Sequence, residues 1–186
     1  MKWMIASDIH GSAFYCRKLL ERFEKEAAEG LLLLGDILYH GPRNDLPEEY
    51  SPKKVIAMLN PLKDKIVCVR GNCDAEVDQM VLEFPIMDEK KELLFDRIPV
   101  VAVHGHHLEE LRREELAEGT VVVSGHTHIP CIKEEEGIVF LNPGSVSIPK
   151  EGSAHGYIIF DNGIFRFMDL EGTEYMKFTQ KIQFVK

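Results

Sequence analysis

The chain has 186 residues, 45% of them hydrophobic and 28% charged, with a formal net charge of -9 at pH 7. Those figures describe one ordinary globular domain, long enough to bury around 70% of the surface its unfolded form exposes. An acidic balance argues against a nucleic-acid backbone or an anionic membrane as the main partner, because either needs clustered Lys and Arg.

Four cysteines, Cys16, Cys68, Cys73 and Cys131, form no CxxC pair and are too sparse for a disulfide framework. Reduced thiols in a cytoplasmic protein are the simplest account. The N-terminus reaches a charged residue too early for a signal peptide, and no apolar run approaches the ~20 residues a membrane span needs.

Lys2 to Ala6 reads as a first strand, with Trp3 in the core, running into Ser7-Asp8-Ile9-His10-Gly11. Ser12 caps a helix toward Glu29, with Leu19, Leu20, Phe23 and Ala27 on its inner face and Gly30 as its stop. Leu31 to Leu34 is a second strand and ends at Gly35-Asp36. Ile37 to Tyr50, with Pro42, Pro47 and Gly41, is a loop hanging from that strand end. Ser51-Pro52 opens a helix that buries Val55, Ile56 and Leu59. Ile66 to Val69 is a third strand, running into Arg70-Gly71-Asn72-Cys73-Asp74. A short helix from Ala75 to about Met80 follows, with Asp74 where a negative charge suits the dipole.

Phe84 to Ile86 and Lys91 to Phe95 pattern as two strands around a turn at Met87 to Lys90. Ile98 to Val103 runs into His104-Gly105-His106, and the charge-rich Leu108 to Glu118 predicts a helix ended by Gly119. Val121, Val122 and Val123 form a strand buried on both faces, which stops at Gly125-His126-Thr127-His128. Two hairpins follow, Cys131 to Lys133 with Ile138 to Leu141 and Tyr157 to Phe160 with Ile164 to Met168, separated by a turn at Asn142-Pro-Gly-Ser145. A final strand is expected from Glu174 to Val185. Strand and helix alternate over the first two thirds, and the last third is mainly antiparallel. The fold class is therefore α/β (α+β), two sheets packed face to face with helices outside.

Five strand ends thus carry metal-competent side chains. Ligands in such sheets gather at the carboxyl ends of strands, which draws Asp8, His10, Asp36, Asn72, His104, His126 and His128 together. Seven oxygen and nitrogen donors are too many for one ion and natural for two, if one carboxylate bridges. Four imidazoles disfavour calcium, so two divalent ions such as manganese, with iron, cobalt, nickel or zinc as alternatives, are expected. On an extended chain His126 and His128 would lean to one side with Cα atoms roughly 6.5 to 7 Å apart. Each could then hold a different ion of a pair about 3.5 to 4 Å apart.

Asp8-x-His10, Gly35-Asp36, Gly71-Asn72, His104 and Gly125-His126-x-His128, in that order, resemble the calcineurin-like metallophosphoesterases. Ser7 to Gly11, Leu38 to Asn44, Val69 to Asp74, Val77 to Met80 and Asn142 to Pro149 are more closely similar to the bacterial YfcE-type phosphodiesterases. The resemblance implies a four-layer α-β-β-α sandwich, two mixed sheets flanked by helices. It implies that Asp8, His10 and His128 hold one ion, Asn72, His104 and His126 the other, and that Asp36 bridges. A hydroxide shared by the ions would then attack a small phosphodiester in line. A phosphomonoester or a cyclic nucleotide is the alternative substrate, and a scaffold that has lost catalysis, as in one retromer subunit, is the rival of another class.

One position departs from the wider family, whose Gly-Asn motif usually continues with a histidine that protonates the leaving group. Cys73 stands there. A thiol, with an ordinary pKa of ~8.5, is a poorer acid than an imidazolium, so good leaving groups should be favoured unless Cys73 merely fills space. His40 and Arg43 are candidates to meet a substrate oxygen. His106 and His107 follow a ligand position, His155 reads as an ordinary surface residue, and the apolar strands of the last third would suit a homo-oligomer.

Overall fold

A computed structural model describes residues 1–180. One sheet contains β1 (Trp3–Ala6), β2 (Gly30–Leu33) and β3 (Ile66–Cys68) in parallel, extended by β9 (Gly156–Asp161), β10 (Ile164–Asp169) and β11 (Glu174–Thr179), in the order β11-β10-β9-β1-β2-β3. The second contains β4 (Lys90–Phe95), β5 (Ile98–Val103), β6 (Val121–Val123), β7 (Cys131–Glu135) and β8 (Ile138–Asn142), in the order β4-β5-β6-β8-β7, with its three middle strands parallel.

The two-residue period of a strand sorts the core. Ile5 and Leu32 of the first sheet face Val100, Ala102, Val121, Val123, Val139 and Leu141 of the second. Their neighbours Met4, Leu31 and Leu33 point the other way, onto α1 (Ala13–Lys25) and α2 (Pro52–Leu59). On the outer face of the second sheet, Val101, Val122, Ile138 and Phe140 meet Leu108, Leu111 and Leu116. Two mixed sheets with helical segments outside result. Among the described residues no helix is long and apolar enough to cross a membrane.

The structure corrects four element assignments. Helix α1 stops at Lys25, because Ala27 takes a left-handed backbone at φ 51. Ala28 N–H then bonds Phe23 O at 3.2 Å and Ala27 N–H bonds Glu24 O at 3.0 Å, the paired closure that satisfies free helix carbonyls. Gly30 is instead the first residue of β2, and a Cβ there would run into the Trp3 ring. That ring is half-buried and stacks on Phe95, centroids 5.0 Å apart.

Phe84 to Ile86 form no strand. Phe84 and Ile86 are buried, and the Gln79 side chain takes the sheet partner's place, accepting from Ile86 N at 2.8 Å and donating to Phe84 O at 3.0 Å. Lys91 to Phe95 pair with β5 around Asp96 and Arg97, both at positive φ as a tight hairpin requires. Leu108 to Glu118 hold only single 3-10 turns, Leu108–Glu110 and Arg113–Glu115. The five-residue step from Leu111 to Leu116 fits no helical face, and covering the flat sheet decides the path. Strand β11 ends at Thr179, and the rest of the expected final strand beyond residue 180 lies outside the described residues.

Candidate metal centre

Where the parallel strands end, the backbone turns left-handed. Asp8, His10, Asp36, His126 and His128 have φ of 59, 48, 56, 66 and 62. This conformation costs a residue with a side chain about 1–2 kcal/mol, and Asp and His adopt it more readily than most. Cross-loop hydrogen bonds hold it, His10 N to Asp36 O at 2.9 Å and Gly125 N to His104 O at 2.8 Å among them. The extended geometry expected for His126 and His128 is therefore wrong. The left-handed turns send His128 toward Asp8 and His10, while the His126 ring lies 5.1 Å from that of His104.

Three imidazoles have their tautomers fixed by backbone carbonyls. His10 Nδ1 donates to Tyr39 O at 2.8 Å, His104 Nδ1 to Leu34 O at 2.6 Å and His128 Nδ1 to Ile148 O at 2.8 Å. A carbonyl only accepts, so Nδ1 carries the proton and the Nε2 lone pair faces inward. His10 Nε2 then lies 3.3 Å from His128 Nε2, and Asp8 Oδ1, buried without a hydrogen-bond partner, lies 3.2 Å from His128 Nε2. Lone pairs facing one another and an orphaned carboxylate oxygen fit a cation between them.

The other half has the same character. His104 Nε2 is 3.0 Å from Asn72 Oδ1. Asp36 Oδ2 stands between the halves, 3.6 Å from His10 Nε2 and 3.5 Å from His104 Nε2, while its Oδ1 accepts from Cys73 N at 2.8 Å. Burial works against charge on Asp8, yet His10 and His128 outweigh it and hold the carboxyl well below its usual range. Burial likewise works against charge on His10, and Asp8 and Asp36 reverse it, so the ring is raised above its ordinary 6.5. Both shifts come from one pairing of buried carboxylates with imidazoles.

Three supports have no ligand-like signature in the sequence. Asp74 does not serve the dipole of α3 (Glu76–Gln79); its carboxylate accepts from Asp36 N at 2.8 Å, Ile37 N at 2.9 Å and Gly71 N at 2.7 Å, tying two strand ends together. Burial raises its pKa against those three donors. Ser145 and Ser147 hydroxyls each donate to Asp8 O at 2.9 Å. Asn142 Nδ2 donates to Gly125 O at 2.7 Å, pinning the histidine loop. The Asn-Pro-Gly-Ser stretch marks this turn in the sequence, but not what it holds.

An open cleft of about 430 Å³ lies over the cluster, with Arg43, Cys73 and Lys150 on its walls. Lys150 was not expected, although it directly follows the block ending at Pro149. Burial, and then Asp36, push the Cys73 thiol up to about 12. His40 is not on the cleft wall: its ring packs edge-on to Tyr39 and Tyr50, centroids 4.8 and 5.2 Å away. His155 is no ordinary surface residue either. Half-buried, it stacks on Tyr15 with centroids 4.0 Å apart, and its Nδ1 donates to Val146 O at 2.8 Å.

Back-to-back sheets whose strand ends gather two donor groups around a shared carboxylate define the kind of centre that metal-dependent hydrolases use. The chain belongs to the calcineurin-like phosphoesterase superfamily, whose profile matches residues 1–163. It is 45% identical over 170 residues to Phosphodiesterase YfcE of Escherichia coli strain K12, covering 91% of this chain and 92% of that protein. The solved structure of Yfce, a phosphoesterase from E. coli, superposes with a TM-score of 0.93 at 42% identity, over 97% of this chain and 100% of that one. Wild-type Vps29 complexed with Zn+2 from Entamoeba histolytica, at a TM-score of 0.65 and 18% identity over 97% of this chain and 100% of that one, shares the fold.

Proposed function

We propose that this protein is a dinuclear metal-dependent phosphodiesterase acting on small phosphodiesters. The observation that carries the reading is Asp36 Oδ2, set 3.6 Å from His10 Nε2 and 3.5 Å from His104 Nε2. Asp8, His10 and His128 would hold one divalent ion, Asn72, His104 and His126 the other, with Asp36 on both. Nitrogen and carboxylate donors suit manganese, with iron, cobalt, nickel and zinc as alternatives. Bound there, the ions supply Lewis acidity to the phosphate oxygens and bring the pKa of a water from ~15.7 toward about 7.

The chain's own residues orient the ester. Arg43 and Lys150 reach the cleft and would hold non-bridging oxygens, Arg43 through its planar fork. Cys73 lies on the same wall, where a thiol in place of an imidazole favours leaving groups that depart unprotonated. A scaffold that has lost catalysis would lack donors at the strand ends, whereas this sequence carries all seven. Two cationic side chains on the cleft wall also favour a second reading, a phosphomonoesterase, since a monoester carries more negative charge.

The deciding experiment strips the protein with chelator and adds back each divalent metal. An aryl phosphodiester, the matched alkyl diester and the aryl monoester are then assayed together. The expected result is metal-restored hydrolysis of the aryl diester, with the alkyl diester and the monoester slower. No restoration by any metal overturns the reading; a faster monoester installs the second one.

A further inference from the structure

A second cleft of about 590 Å³ opens on the His104 side and shares Asn72 with the first. Pockets that hold small organic groups span roughly 300–1,000 Å³. We infer that this cleft is a subsite for an aromatic ester group of the diester, and that His106 gives the protein a preference for substrates that carry one. The inference rests on the phosphodiesterase reading of the same site. A phosphodiester carries two organic groups. With the leaving group beside Cys73, the retained group points across Asn72 into the second cleft.

Its lining selects the chemistry. Three imidazoles line it, with the His104 and His106 rings 5.4 Å apart and those of His106 and His107 4.2 Å apart; the His126 ring, 5.1 Å from that of His104, belongs to the first cleft. His106 is thus the first ring beyond the candidate ligands. Val103, Leu108 and Leu111 supply an apolar floor on the edge of the outer core. The rim cations are already engaged: Arg70 with Glu89 at 3.3 Å and Lys90 with Glu92 at 2.8 Å. A neutral group therefore suits the cleft better than a second phosphate.

His106 is only partly buried and lines this cleft. An aryl group offers a face to the imidazole, whereas a short alkyl group offers none.

The test compares p-nitrophenyl phenyl phosphate with p-nitrophenyl methyl phosphate, which share a leaving group. In the metal-loaded protein, the ratio of kcat/KM for phenyl over methyl should fall several-fold, up to about tenfold, in His106→Ala, mainly through KM. His106→Phe should restore much of it. Leu111→Trp, which fills the floor, should lower the same ratio and serves if His106→Ala does not fold. A ratio that stays the same while both rates fall marks a structural role and overturns the inference. Equilibrium binding of diphenyl against dimethyl phosphate reads the preference without turnover. Wild type that hydrolyses neither diester therefore sinks the phosphodiesterase reading alone, while equal binding of the two sinks the subsite.

Discussion

At the scale of single residues, the centre is held by groups that bind no ligand themselves. Ser145 and Ser147 both donate to the Asp8 carbonyl, fixing the left-handed backbone that aims its carboxylate. Outer partners of metal ligands commonly contribute about 10–100-fold to metal affinity. The double variant Ser145→Ala, Ser147→Ala should lose roughly that factor in a manganese titration. His155 carries a separate pH response. Burial lowers its pKa below 6.5, so the unfolded chain takes up a proton before the folded one does. Its contribution to stability is complete above that unfolded value and is lost as pH falls through the lower folded value. Urea midpoints of wild type should drop more steeply below pH 6.5 than those of His155→Gln; parallel curves would contradict this. That Asp8, His10, Asp36, Asn72, His104, His126 and His128 stand just past strand ends was legible because each follows an apolar run. His40, His155, Asp74 and Lys150 were not, because which way a loop side chain points depends on neighbours distant in sequence.

At the scale of elements, runs such as Leu31 to Leu33 and Val121 to Val123 were legible because strands buried on both faces are continuously apolar. Elements set by tertiary contact were not. The Leu108 to Glu118 stretch has helical composition, yet Leu108, Leu111 and Leu116 must reach a flat sheet face, with Arg113 over the Phe140 ring at 5.0 Å. Gly30 was misread for the same reason, since its role comes from Trp3 and not from α1. Gly30→Ala should cost about 1–3 kcal/mol through overpacking, seen as a lower urea midpoint at unchanged slope. A neutral effect would show that the Trp3 ring moves aside freely.

At the scale of the molecule, two sheets serve one purpose at one edge. Their shared core fixes the strands, and the strand-end loops interlock through bonds such as Asp8 N to Gly35 O and Gly125 N to His104 O. A ligand that binds only the folded state stabilises it by about 2.7 kcal/mol at a hundred times its Kd. Divalent metal should therefore raise Tm and chelator lower it, with little change in secondary structure. The most direct measurement is anomalous scattering from crystals grown with manganese. Two peaks are predicted, one bounded by Asp8, His10 and His128 and the other by Asn72, His104 and His126, with Asp36 touching both. A single peak, or none at these side chains, would contradict the account.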